Sequence, residues 1–196
     1  MPRPREFDPD TVLNQAMLRF WERGYRATSV EDLVKATGVN PGSLYGAFPG
    51  GKHTLFLKSL ERYSNLVVPR QLGALEGPDA SITEIRGYFD AMIEDMVRPE
   101  GRQGCLLVNS AIENAAEDDE VAAVVRGHLA RLEGCVAKAL SNAIGRGEAR
   151  ATLDPVGTAK LLVATGQGLM VVGKANPDRD VLLAIVDNAF AGIAAH

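Results

Sequence analysis

Apolar residues recur at helical spacing along almost the whole 196-residue chain. The first stripe is Val12, Leu13, Ala16 and Phe20, and positions three and four apart share one face of an α-helix. Asp8-Pro9 starts this helix: an aspartate can cap the first amides, and proline fits the first helical position. Gly24 stops it. Thr28-Ser-Val-Glu31 has the form of a capping box. It predicts a short helix with Val30, Leu33 and Val34, closed at Gly38. Asn40-Pro41 repeats the cap-then-proline start, and Leu44, Tyr45 and Phe48 share a face of a very short helix that Pro49-Gly50-Gly51 ends.

A long helix is predicted from near Lys52, with Leu55, Phe56, Leu60, Tyr63 and Val67 inward and Pro69 as its bound. Ile82, Ile85, Phe89, Met92, Ile93 and Met96 mark another, and Pro99-Glu-Gly101 a loop. A helix from about Gln103 to Ala116 carries Cys105. Asp118-Asp-Glu120 suits a helix N-terminus electrostatically, and Val121, Val125, Leu129, Leu132, Val136, Leu140 and Ile144 continue it to Gly145 and Gly147. Asp154-Pro155 opens a helix to about Ala175, which Asn176-Pro177 breaks. Leu182, Ile185, Val186, Ala189, Phe190 and Ile193 mark the last. The pattern predicts an all-α protein of nine helices with no strand, divided near residue 50.

Composition adds little to that and contradicts none of it. Hydrophobic residues are 46%, charged 23% and aromatic only 6%, a mixture that favours closely packed helices over a β-sandwich. The apolar stretch Leu161–Val172 is interrupted by Thr165, Gly166, Gln167 and Gly168, so no transmembrane helix is expected. The N-terminus has no apolar signal region, and a cytoplasmic location is expected. With only two cysteines, Cys105 and Cys135, a structural disulfide is not expected, and no zinc spacing or cofactor motif occurs. Net charge is −4, but residues 1–52 carry seven Lys/Arg against six Asp/Glu. A duplex-binding module would have to place a few cations well rather than present a strong basic field.

Thr28 to Lys52 carries the strongest functional signal. Two short helices separated by Thr37-Gly38-Val39-Asn40 fit a helix-turn-helix, with Gly38 at the tight turn and Val39 as a plug between them. The second helix is too short to stand alone, so its neighbours must hold it with its N-terminal end toward a major groove. That helix has no Arg, Lys or Gln. Base reading would rest on Asn40, Ser43, van der Waals contacts and DNA shape. Arg3 and Arg5 read as an arm for an adjacent groove or phosphate.

The string Phe20-(x3)-Gly24-Tyr25-(x2)-Thr28-Ser29, Ala36-x-Gly38-Val39, Leu44-Tyr45-(x2)-Phe48 and Lys52 resembles the TetR/AcrR regulators. The resemblance implies a three-helix DNA-binding module, residues 1–50, joined to a helical effector-binding and dimerisation domain, residues 51–196. It also implies a repressor that leaves its operator when a small molecule arrives. Carried over by position, Thr28, Ser29 and Tyr45 would hold phosphate, Lys52 would meet the DNA backbone, and Asn40, Pro41, Gly42 and Ser43 would face the groove. Many relatives carry histidine where this chain has Gly46, so one contact of the family is absent. Gly104-Cys-Leu-Leu-Val-Asn109, with Glu113, further resembles a subgroup that answers to reactive or oxidising molecules.

Cys105 falls in the first turn of its predicted helix, where the helix N-terminus favours thiolate. It is a candidate sensor of electrophiles or oxidants, and equally a candidate for inert core. Lys174 is placed to assist it or to complement a helix C-terminus. Tyr63, Tyr88, Phe89, Met92 and Met96 would line an effector cavity or simply make core, with Asn109 and Glu113 as polar contacts or surface. The helix after Pro155 is apolar on nearly all sides and is expected to be buried from two directions, one of them a second copy of the chain. Leu162, Gly166, Leu169, Met170, Ile185 and Phe190 are the expected dimer contacts, and a two-fold protein matches a palindromic operator. No Ser/His/Asp order, P-loop or Rossmann pattern supports an enzyme. A thiol enzyme, or a helical dimer that binds no DNA, is the alternative of another class.

Overall fold

A computed structural model describes residues 7–195. Ten α-helical segments follow one another: α1 (Pro9–Arg23), α2 (Val30–Thr37), α3 (Pro41–Ala47), α4 (Gly51–Leu66), α5 (Val68–Leu72), α6 (Ile82–Val97), α7 (Leu106–Asn114), α8 (Asp119–Gly145), α9 (Pro155–Ala175) and α10 (Arg179–Phe190). Nine have seven residues or more; α5 has five. Among the described residues the only extended pairing is an isolated bridge between Ala149 and Ala194.

The end signals act largely as the sequence implies. Asp8 accepts the amides of Asp10 and Thr11 at 3.2 and 3.1 Å, and Asp154 accepts that of Val156 at 3.1 Å. Gly38 takes the left-handed conformation (φ 67°) that ends α2. Three boundaries differ. The cap of α2 is Ser29, with Asp32 as its reciprocal partner, in place of Thr28 with Glu31. Pro69 lies within the short α5 and so does not bound the long helix, which already ends at Leu66. Gln103 belongs to a 3₁₀ turn, Pro99–Gln103, and Gly104 (φ 65°) separates it from α7, leaving Cys105 as the N-cap.

The chain packs as two compact units. The first combines the chain up to Val68 with residues 105–125; the second combines residues 69–104 with Arg126 onward. In the first, α1 packs on α2, α4 and α7. Phe20 meets Phe56 edge-on at 5.0 Å, Tyr25 lies 4.7 Å from Phe56, and Trp21 meets Tyr63 edge-on at 5.0 Å. In the second, α6, α9 and α10 pack on one another. A Cβ on Gly166 would stand 3.6 Å from Phe89 and Met92, and one on Gly173 2.6 Å from the Met96 sulfur. Gly166 and Gly173 thus let α6 approach closely. By length and composition α9 is apolar enough to cross a membrane, which the reading of its interruptions does not anticipate; its inner face is packed within its own unit.

Candidate nucleic-acid interface and effector-side residues

Leu33, Val39, Leu44 and Phe48 are buried and hold α2 and α3 together. Their burial turns the rest of α3 outward: Asn40, Pro41, Gly42, Tyr45 and Gly46 are exposed and Ser43 is half-buried. Asn40 caps α3 by accepting the Ser43 amide at 2.9 Å, so its side-chain oxygen is engaged in folding that helix. Two successive left-handed glycines, Gly50 (φ 100°) and Gly51 (φ 71°), carry the chain into α4. A Cβ on Gly51 would stand 2.9 Å from the Tyr45 ring, so glycine there also seats that tyrosine.

Three carried-over phosphate contacts need correction or qualification. Thr28 is fully buried and its hydroxyl donates to the Gly24 carbonyl at 2.6 Å, which removes it from any DNA surface. Ser29 is exposed, but Asp32 engages both its amide (3.0 Å) and its hydroxyl (2.8 Å). Those bonds, with Arg19 at 3.2 Å, hold the Asp32 carboxyl well below the usual carboxylate range. Lys52 does not extend from the start of α4. Its ammonium sits 4.2 Å above the Tyr25 ring, a cation–π contact, and burial lowers its pKa. Arg3 and Arg5 lie outside the described residues.

Glu113 also takes a different role from the effector contact expected of it. Its carboxylate accepts the backbone amides of Tyr25 (2.9 Å) and Arg26 (2.7 Å), and nearby Arg26 pairs with Glu117 at 2.8 Å. His53 Nε2 lies 2.8 Å from Asp118, and its Nδ1 3.8 Å from Glu120. These three side chains bring ligand-type atoms within 4.8 Å of one another, a grouping that their separation in sequence conceals. The hydrogen bond between His53 and Asp118 accounts for the arrangement.

Cys105 is 4% exposed, and its carbonyl accepts the amide of half-buried Asn109 at 2.9 Å. Lys174 is exposed in the last turn of α9, in the other unit. Tyr63 is buried in the first unit against Trp21, whereas Tyr88, Phe89, Met92 and Met96 belong to α6 in the second. Phe89 and Met92 cover Gly166, Met96 covers Gly173, and Phe89 also meets Phe190 at 5.7 Å. Phe89 and Met96 are buried, and Tyr88 and Met92 are half-buried. The burial of two polar groups is not anticipated by the sequence reading: His128, whose Nδ1 has no hydrogen-bond partner, and Asn114, whose Oδ1 has none. The stripe Val121, Val125, Leu132 and Val136 passes through position 128 at the correct spacing, so the signal was present.

Leu162, Gly166 and Leu169 are buried within their own unit, which removes them from the list of dimer contacts. The other face of α9 is exposed. Leu161 (59%) and Val171 (50%) stand there with Gly157, Ala164 and Gly168, and Val181 and Ala184 are exposed on α10. Met170, Ile185 and Phe190 are half-buried.

Comparison with known proteins places these features. Residues 12–58 match the model for bacterial regulatory proteins of the tetR family, and residues 81–187 match the tetracyclin repressor-like C-terminal domain. The chain is 28% identical over 184 residues to the HTH-type transcriptional repressor ComR of Escherichia coli, covering 93% of this chain and 87% of that one. It is 31% identical over 188 residues to the HTH-type transcriptional regulator YezE of Bacillus subtilis, covering 95% and 96%. A cysteine-substituted CifR, solved with a 26-base-pair double-strand operator, superposes with a TM-score of 0.82 at 29% identity, covering 96% of this chain and 98% of that one. The helix-turn-helix at one end of an all-helical chain, matched along both of its segments, shows that this chain belongs to the TetR family of bacterial transcriptional regulators.

Proposed function

We propose that this chain is a homodimeric repressor that binds a palindromic operator through α2 and α3 and is released by a small-molecule effector. Residues 1–50 carry the DNA contacts; residues 51–196 carry effector binding and dimerisation. The observation that supports this best is the outward face of α3, where Asn40 to Ser43 and Tyr45 are presented while Leu44 and Phe48 anchor the helix. CifR, similar to this chain at 29% identity, was solved with double-strand operator DNA, which supports DNA binding here. In a dimer the two reader helices would lie about 34–36 Å apart, one turn of duplex. The exposed stripes of α9 and α10 are the surfaces for the second copy, since apolar residues at a spacing of three and four form a helix-packing seam.

Binding to fragments of neighbouring DNA tests the first part. Wild type should shift a palindromic fragment as a dimer, and Tyr45→Phe should weaken that shift without loss of helicity. Unchanged affinity in a folded Tyr45→Phe variant would count against the assignment.

For the effector, Cys105 is the proposed reactive group, on its position as the N-cap of α7 and on the resemblance of Gly104 to Asn109 to the subgroup that answers to reactive molecules. N-ethylmaleimide and hypochlorite are the probes. Release of wild type but not of Cys105→Ser, with an adduct or oxidation located on Cys105, is expected. Reversible binding of a largely apolar ligand is the second reading. The unmet ring nitrogen of buried His128 supports it, as a polar group that a ligand could meet. Equal release of Cys105→Ser by both reagents would transfer the assignment to that reading.

A further inference from the structure

The end of α7 and the start of α8 are rich in acid: Glu113, Glu117, Asp118, Asp119 and Glu120. Four of these side chains reach N-terminal elements of the same compact unit, Glu120 only at 3.8 Å from His53. Asp118 meets His53 in the first turn of α4, and Glu117 meets Arg26, an exposed pair of small energetic weight. Glu113 does something different. Its two oxygens accept the amides of two consecutive residues, Tyr25 and Arg26, which lie between α1 and α2 and outside any helix. The Tyr25 bond is part-buried and the Arg26 bond exposed, and an ionised carboxylate is about twice as strong an acceptor as a neutral group.

The bend is shaped for that carboxylate. Gly24 has φ 81°, a conformation that favours glycine, and a Cβ there would stand 2.7 Å from Glu113 Oε2, so glycine also leaves the acid room. The same bend runs without slack into the DNA-binding helices. The Gly24 carbonyl receives the buried Thr28 hydroxyl, and the Thr28 amide donates to the Tyr25 carbonyl at 3.3 Å. The next residue, Ser29, caps α2.

We propose that Glu113 is a positioning residue for operator binding. Its carboxylate clamps the Gly24–Arg26 bend to α7 and so fixes how α2 and α3 are presented. The clamp makes α7, a helix of the segment matched to the C-terminal domain, a direct holder of the helix-turn-helix. The inference rests on the reading of α2 and α3 as the DNA-binding element.

Glu113→Gln in the full chain is the test, because a carboxamide keeps one oxygen and replaces the other with a donor. Operator affinity is expected to fall about tenfold or more, well below the melting temperature, with helicity, dimer mass and salt dependence unchanged. Exchange of the Tyr25 and Arg26 amides should accelerate while Phe56 and Leu60 keep their protection, a local signature that general destabilisation would not give. A folded variant that binds operator within twofold of wild type overturns the proposal. If the variant does not fold, wild-type exchange decides: slow Tyr25 and Arg26 amides support the clamp, and unprotected ones overturn it. If wild type binds no DNA at all, the regulator reading fails first, and the positioning role of Glu113 falls with it.

Discussion

At the scale of single residues, the molecule separates side chains that a motif treats as equivalent. Thr28-x-x-Glu31 and Ser29-x-x-Asp32 both fit a capping box, and sequence spacing alone does not choose between them. Burial chooses: Thr28 turns inward to Gly24 and leaves the cap to Ser29. Thr28→Val should therefore lower stability by about 1–2 kcal/mol through the lost hydroxyl bond, and leave the operator affinity of the folded protein within about twofold. Urea unfolding and DNA titration of one preparation check both halves; a large loss of affinity at unchanged stability would restore the phosphate role. Ser29→Ala should cost about 1 kcal/mol as a lost cap. Lys52 was legible as a cation at the start of α4, but its attraction to the Tyr25 ring was not, because nothing in local spacing brings residues 25 and 52 together.

Among the elements, the glycine and proline punctuation was the most legible part, since a cap or a left-handed turn is a local property. The two faces of α9 were the least. A helix apolar on all sides offers no polar stripe to mark its outside, so Leu162, Gly166 and Leu169 looked as available as Leu161 and Val171. The packing of α6 divides them. Leu161→Glu or Val171→Glu should yield a folded monomer in sedimentation experiments, because the charge meets water when the second copy is absent. Leu169→Glu should lose the fold itself, since an unpaired buried charge costs several kcal/mol. A folded Leu161→Glu chain that still sediments as a dimer would move the interface elsewhere.

Over the whole molecule, the helical class and the location of the DNA-binding motif could be read from periodicity, whereas the grouping of helices could not. Contacts such as Glu113 with Tyr25 join residues far apart in the chain. Phe20 rests on Phe56 in α4, so a fragment ending at residue 50 should show little helicity by circular dichroism, although it holds all of α1 to α3. Stability should also depend on pH through His128. Burial, with a smaller contribution from Arg131, lowers its pKa below the ordinary 6.5. Below about that pH the unfolded chain takes up a proton that the folded chain refuses, so stability falls as pH drops from 6.5 toward the folded-state pKa and is retained above it. Urea midpoints at pH 7.5 and 5.5 should converge in His128→Gln relative to wild type; an equal drop in both would assign the dependence to other groups.

The split composition of the first unit bears on how the protein is made. Its core needs residues 105–125 as well as the chain up to Val68. A ribosome adds roughly 5–20 residues per second, so the N-terminal helices emerge several seconds before α7 arrives to complete their packing. During that interval the nascent chain lacks the acid that holds the bend before α2. The competence to grip DNA is therefore expected to arise only after mid-chain synthesis, and ribosome-bound chains stalled before α7 should fail to retain an operator fragment that longer ones capture.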